Sequence, residues 1–186
     1  GGFRMPGSFD HIGAINTRDG SSRTVAEIKK AMLYRVTSFA FDPASSTAFY
    51  TSDNLAQRDL MAVDVRTGEP RMLLEDARIG DIAFNPADRS LIGVRHALGY
   101  TVLVQIPFPY TEWKSLHLFP YGVVPYDLDV SPDGRLLAAS VSEVNGDQYL
   151  RVWDLEKVAA GDVTPKSEFR FGQSVPESFV FSRDGR

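Results

Sequence analysis

The stretch DVSPDGRLLAAS, residues 129–140, sets a tight turn, Ser131-Pro132-Asp133-Gly134, between a run ending at Val130 and a second apolar run from Leu136 to Val141. Pro132 has no N–H to give to a ladder, and Gly134 takes a positive φ without steric cost. Asp133 suits the turn because its short side chain folds back onto the backbone. The segment therefore reads as strand, turn, strand.

Related turns recur along the chain. Phe41-Asp42-Pro43, Phe84-Asn85-Pro86, Val130-Ser131-Pro132 and Phe181-Ser182-Arg183 place their apolar residues 43, 46 and 51 positions apart. A period in the forties is that of propeller blades, four-stranded sheets that cannot bury both faces alone.

Each unit carries a first strand into the turn: Thr37 to Phe41, Gly80 to Phe84, Tyr126 to Val130, and Glu177 to Phe181. A second strand of small and apolar residues follows at Thr47 to Thr51, Ser90 to Arg95 and Leu136 to Val141. The third alternates, as in Leu60 to Val65 and Tyr149 to Leu155, and the fourth is short: Pro70 to Leu74, Ser115 to Phe119, Ser167 to Phe171.

Ahead of these, His11 to Asn16 with Arg18-Asp19-Gly20 matches Val63-Asp64 with Arg66-Thr67-Gly68. The expected fold class is all-β, a β-propeller of four-stranded antiparallel blades present as a fragment. Three complete blades are expected at 36–75, 79–119 and 125–171, with the end of a preceding blade at 1–30 and the start of the next at 176–186.

Composition narrows the function. With 186 residues, 43% hydrophobic and 24% charged, the chain is of ordinary globular make-up. A net charge of −4, without clustered Lys and Arg beyond the pair Lys29-Lys30, argues against a nucleic-acid partner. No apolar run is long enough for a membrane-spanning helix. The absence of cysteine removes disulfides, thiolate nucleophiles and thiolate metal sites.

Asp129, Ser131, Asp133 and Gly134 fall at positions one, three, five and six of an EF-hand loop, but Ser140 stands where the closing Glu belongs and the flanks read as strands. His11, His96 and His117 are far apart and no His-Glu-x-x-His occurs. There is no Gly-x-Ser-x-Gly elbow, phosphate loop or dinucleotide fingerprint. The expectation is no catalytic residue, no metal and no cofactor within this chain.

Binding residues are expected on the loops at one face of the channel. The connections entering the first strands supply Arg35, Arg78, Asp81, Tyr126, Asp127 and Glu177, and the second-to-third strand loops supply His96. Three positions before Phe41, Phe84, Val130 and Phe181 lies a polar column, Ser38, Asp81, Asp127 and Ser178. These side chains would either meet a cationic group or cap neighbouring backbone, as buried polar groups must. The loop Pro107 to Trp113 carries Phe108, Tyr110 and Trp113, suited either to a protein partner or to packing on the adjacent blade.

Ser131-Pro132-Asp133-Gly134-Arg135, and Ser182-Arg183-Asp184-Gly185 with one substitution, resemble the WD40-like (PD40) repeat of TolB-type β-propellers. Trp153-Asp154 matches the dipeptide of true WD40 repeats once, and the Gly-His of that family is missing. The resemblance implies a non-catalytic module that binds a protein or peptide, in a bacterial cell envelope, periplasmic or secreted. The remaining blades of the same polypeptide would be a further partner. Similar repeats occur in the propellers of prolyl-oligopeptidase-like peptidases, which leaves the substrate-gating domain of a larger hydrolase open. A propeller binding sugars or other small molecules is a third reading.

Overall fold

The computed structural model describes residues 10–28, 36–53, 58–176 and 178–185. Its first sheet pairs β1 (Asp10–Ile15) with β2 (Ser22–Ile28). The second contains β3 (Val36–Asp42), β4 (Thr47–Asp53), β5 (Arg58–Asp64) and β6 (Pro70–Leu74). The third contains β7 (Ile79–Phe84), β8 (Leu91–Ala97), β9 (Tyr100–Ile106) and β10 (Lys114–Leu118). The fourth contains β11 (Val124–Val130), β12 (Leu136–Ser142), β13 (Gln148–Asp154) and β14 (Ser167–Gly172).

Each four-stranded sheet is an antiparallel meander whose strands pair in chain order. The first strands β3, β7 and β11 pack side by side, so they form the inner wall of a partial β-propeller. Blade cores lie between the sheets. Tyr50 and Val63 face Ile12 and Val25 of the first sheet, whereas Phe49 and Leu60 face Ile79 and Ile106 of the third. Ile92, Val94 and Leu103 pack against Leu137, Val141 and Trp153 of the fourth. Both faces of the middle blades are thus covered, which explains why the second strands read as nearly continuous apolar runs.

The Pro turns hold themselves together. Asp42 accepts from the Ala44 N–H at 2.9 Å, and Asn85 from the Ala87 N–H at 2.9 Å. Ser131 Oγ donates to Asp133 Oδ1 at 2.6 Å and accepts from the Leu136 N–H at 2.9 Å. They also join blades: Arg89 reaches Asp42 at 2.9 Å, and Asn85 Nδ2 donates to the Gly134 carbonyl at 3.2 Å. The carboxylate, amide and hydroxyl groups read as turn formers are structural.

Three elements differ from the sequence reading. A short helix, α1 (Leu155–Ala159), follows β13; Asp154 caps it by accepting from the N–H groups of Glu156 and Lys157. His96 lies inside β8 and pairs with Thr101, because the β8–β9 connection is a two-residue turn, Leu98-Gly99, with φ of 53° and 80°. Residues 178–185 form no strand, although Ser182 Oγ donates to Asp184 and the Gly185 N–H to the Ser182 carbonyl. Among the described residues these have no ladder partner.

Candidate functional site at the entry end of the inner strands

All three inner strands are irregular at the same place. The register slips between Val36 and Ser38 in β3, between Ile79 and Ile82 in β7, and between Tyr126 and Leu128 in β11. A bulge leaves one residue without a cross-strand partner and re-aims its side chain. In β7 the slip passes over Gly80 and Asp81 and in β11 over Asp127, whereas in β3 it falls at residue 37 and Ser38 keeps its pairing with Thr51.

Ser38 Oγ accepts the Ile82 N–H at 3.0 Å, tying β3 to β7. Asp81 faces the backbone N–H of Asp127 in β11. Thr51 Oγ1 donates to the Gly80 carbonyl at 2.7 Å. For Ser38 and Asp81 the geometry is therefore that of caps on the neighbouring blade. Asp127 differs, being exposed at φ 49° with no side-chain hydrogen bond or ion pair among the described residues. Ser178 is exposed.

The electrostatics of this end are those of crowded, partly desolvated groups. Burial and the nearby Asp127 charge push the Asp81 carboxyl above the usual aspartate range, while Arg58 pulls it back. Burial also raises Asp127. Burial and the Arg58 charge hold His96 below the ordinary imidazole value, favouring the neutral ring. A Cβ placed on Gly80 would stand 2.5 Å from an Arg58 guanidinium nitrogen and 3.4 Å from His96 Nε2, so this backbone is kept bare to admit both side chains. The Arg78 N–H donates to the Arg58 carbonyl, and its carbonyl accepts from the His96 N–H at 2.9 Å. Tyr126 donates its hydroxyl to Gln148 Oε1 at 2.8 Å, and burial with the Asp127 charge raises its pKa.

Arg78, Asp81, His96, Tyr126 and Asp127 thus share one end of the inner strands, with Arg58 added. Arg58 belongs to the second-to-third strand loop of its blade in sequence, and only its proximity to Gly80 and His96 marks it out. Gln148, which orients Tyr126, carried no sequence signal. Arg35 and Glu177 lie outside the described residues.

The aromatic loop divides. Tyr110 is buried, stacks edge-on against Phe49 at 4.8 Å and donates to the Arg89 carbonyl at 2.8 Å, so it packs on the second blade and offers no partner surface. Phe108 is exposed with Arg89 over its ring at 5.1 Å. Trp113 is partly exposed beneath Arg95 at 4.6 Å.

Two cavities lie elsewhere. One of about 380 Å³ runs along the inner wall, lined by Phe39, Phe41, Phe84, Leu128 and Asp129 among others. One of about 560 Å³ separates β2 from the second blade, beside Tyr50, Ser52 and Met61. Among the described residues no three His, Asp or Glu side chains are grouped to hold a metal ion, and no helix is long and apolar enough to cross a membrane.

No family model matches the chain, and no curated protein matches it by sequence. Solved structures do. TolB from Acinetobacter baumannii superposes with a TM-score of 0.73 at 16% identity, covering 94% of this chain and 41% of that one. A chain of the nidogen/laminin complex gives 0.71 at 14%, covering 94% and 64%. Oligogalacturonate lyase in complex with manganese gives 0.65 at 14%, covering 94% and 51%. The chain spans between 41% and 64% of the length of these three. It is a partial β-propeller with the fold shared by TolB-type and other WD40-like propellers.

Proposed function

We propose that the chain forms part of a non-catalytic β-propeller that binds a protein or peptide at the entry end of its inner strands, within a bacterial cell envelope. The observation that carries this reading is the bulge repeated in β3, β7 and β11, which in β11 leaves the Asp127 carboxylate exposed and, among the described residues, unpaired. A non-glycine residue held at positive φ is strained, and such strain persists where the surroundings enforce it, often at ligand clamps. Arg78, without a side-chain hydrogen bond or ion pair among the described residues, supplies a cation at the same end. Fold neighbours that occur in protein complexes, nidogen with laminin and a propeller of the mitotic checkpoint complex, support a binding role. The remaining blades of the same polypeptide would be the neighbours of the described ones.

The test is an array of short peptides of random sequence probed with the intact protein, its Asp127→Asn form and its Arg78→Ala form. Peptides retained by the parent and lost by either variant support the reading. Retention identical in all three would overturn it.

A second reading has one observation in its favour, the fold likeness to oligogalacturonate lyase: the chain would belong to the propeller of an enzyme. The mass of the polypeptide from its natural source separates the two. One propeller is on the order of 30 to 40 kDa at the usual blade size, and about twice that would indicate an attached domain.

A further inference from the structure

Beside the charged end lies a ridge of large apolar side chains that nothing among the described residues covers. Leu98 is 92% exposed, Tyr121 72%, Val144 79% and Tyr100 48%. Leu98, Tyr121 and Val144 come from the β8–β9 turn, the β10–β11 loop and the β12–β13 turn, and Tyr100 opens β9. They nevertheless form one surface. The Tyr100 and Tyr121 rings meet edge to face at 6.4 Å. A Cβ on Gly99 would lie 4.0 Å from the Tyr121 ring, and one on Gly122 only 2.7 Å from Val144 Cβ.

The ridge stands on two tight turns. Leu98-Gly99 is a closed two-residue turn, and the Gly146 N–H donates to the Glu143 carbonyl at 2.9 Å within the β12–β13 turn. Tyrosine on a stiff loop buries much area while losing little rotamer entropy, and contiguous exposed apolar surface is uncommon unless it is used.

Charge decides the partner. In the β12–β13 turn, Glu143 is held by Arg151 at 2.6 Å and Asp147 by Arg170 at 2.8 Å. Toward the channel, Arg58 offsets Asp81, whereas Asp127 remains unpaired on the same blade as Val144. Among the described residues the unpaired charge of the fourth blade at this end is therefore negative. Two cations without an ion pair among the described residues lie on the other side: Arg78 in the connection between the second and third blades, and Arg95 in β8, which is turned to the Ala77 carbonyl and the Trp113 ring.

We propose that the Leu98–Tyr100–Tyr121–Val144 ridge and Asp127 together form a docking surface for a peptide segment that presents apolar side chains next to a lysine or arginine. This rests on the binding-module reading above and assigns it a ligand chemistry. The apolar residues seat on the ridge, and the basic group reaches Asp127.

The probe is a fluorescein-labelled peptide alternating leucine or phenylalanine with lysine, with the same peptide carrying glutamate for lysine as comparison. Fluorescence anisotropy is read with the intact protein and with Tyr121→Ser, Leu98→Ser and Asp127→Asn, all exposed positions, each checked for unchanged far-ultraviolet circular dichroism. Saturable binding of the lysine peptide is expected. Either ridge variant should weaken it about tenfold, the loss of a well-buried apolar contact. Asp127→Asn should weaken it several-fold and flatten its salt dependence.

Equal affinity for the glutamate peptide, or undiminished binding by the ridge variants, would overturn the proposal. If array peptides still depend on Asp127 or Arg78 while the ridge variants bind them normally, the module reading survives and the ridge assignment falls. No binding of any peptide ends both. Sedimentation showing self-association abolished by Tyr121→Ser would give the ridge to a second copy of the chain and overturn the peptide assignment.

Discussion

Asp129 Oδ2 accepts the backbone N–H of Phe181 at 2.7 Å, joining β11 to a segment 52 residues later in the chain. The same device ties β3 to β7, where Ser38 accepts from Ile82. Side chains of an inner strand thus satisfy backbone of the segment that follows it around the wall, which separate sheets need because no continuous ladder crosses between them.

Replacing Asp129 by alanine should therefore free residues 178–185 with little effect on the blades. A hydrogen bond to a charged acceptor contributes about 1.5 to 3 kcal/mol. Hydrogen exchange at the Phe181 amide should accelerate by roughly tenfold or more, while the global unfolding midpoint barely moves. Asp129→Asn, which keeps an acceptor, should lie between. Unchanged exchange in Asp129→Ala would show that the contact does not hold the segment.

Tyr110 provides a sharper test of packing. Its ring fills the space beside Phe49 and its hydroxyl reaches the Arg89 carbonyl. Tyr110→Phe removes one hydrogen bond and should cost about 1 kcal/mol. Tyr110→Ala opens a cavity between blades and should cost about 3 to 5 kcal/mol by urea unfolding. Phe108→Ser, two residues earlier and exposed, should change stability by less than about 0.5 kcal/mol.

These cases show what the sequence can carry. Phe41, Phe84, Val130 and their turns were legible because proline and glycine act on the local backbone and recur with the blade. The sequence presents Trp153 and Leu155 as strand residues, and the chain does run as strand to Asp154. The helix beyond was signalled by Asp154 at an N-cap position, yet a third-to-fourth strand connection offered no reason to look for one. Tyr110 could not be placed from its own segment, since the space that receives it is made by Phe49 in another blade. The bulge at Asp127 is equally hidden: in Tyr126-Asp127-Leu128 nothing but the slip against Ser140 and Ala139 reveals it. His96 and Arg58 come together only because Gly80 leaves room.

The pH dependence of the charged end follows from Asp81. Burial first, and the Asp127 charge second, raise its folded-state pKa above the unfolded value. Between those two values the folded state holds the proton more tightly, so stability falls as pH rises through that window. Above that window the ionised Asp81 is a net liability. Asp81→Asn keeps an acceptor for the Asp127 N–H and should melt higher than the parent above the window, with the advantage vanishing below the ordinary aspartate pKa. His96 works in the opposite sense. Its lowered pKa means stability is lost as pH falls below the usual imidazole value. His96→Gln should flatten that part of the profile, and melting curves across pH for both variants separate the two windows.

Gly134, in the turn of residues 131–134, is constrained twice. Its φ is 73°, and a Cβ there would lie 2.3 Å from both Ala87 Cβ and Asn85 Oδ1 in the neighbouring blade. Gly146 shares the first constraint alone, with φ 85° and open space around it. Alanine at Gly146 should cost about 1 kcal/mol, the strain of a left-handed conformation. Alanine at Gly134 adds a collision with backbone and side chain between blades, and overpacking of that kind brings the expected loss to about 2 to 4 kcal/mol. Urea unfolding of both variants measures the difference. Equal losses would mean that the turn needs glycine for its own backbone only, and that the third and fourth blades can part there without cost. The expected gap instead makes this turn a blade-to-blade contact, which explains why glycine is required where the fourth blade's turn meets Asn85-Pro86-Ala87 of the third.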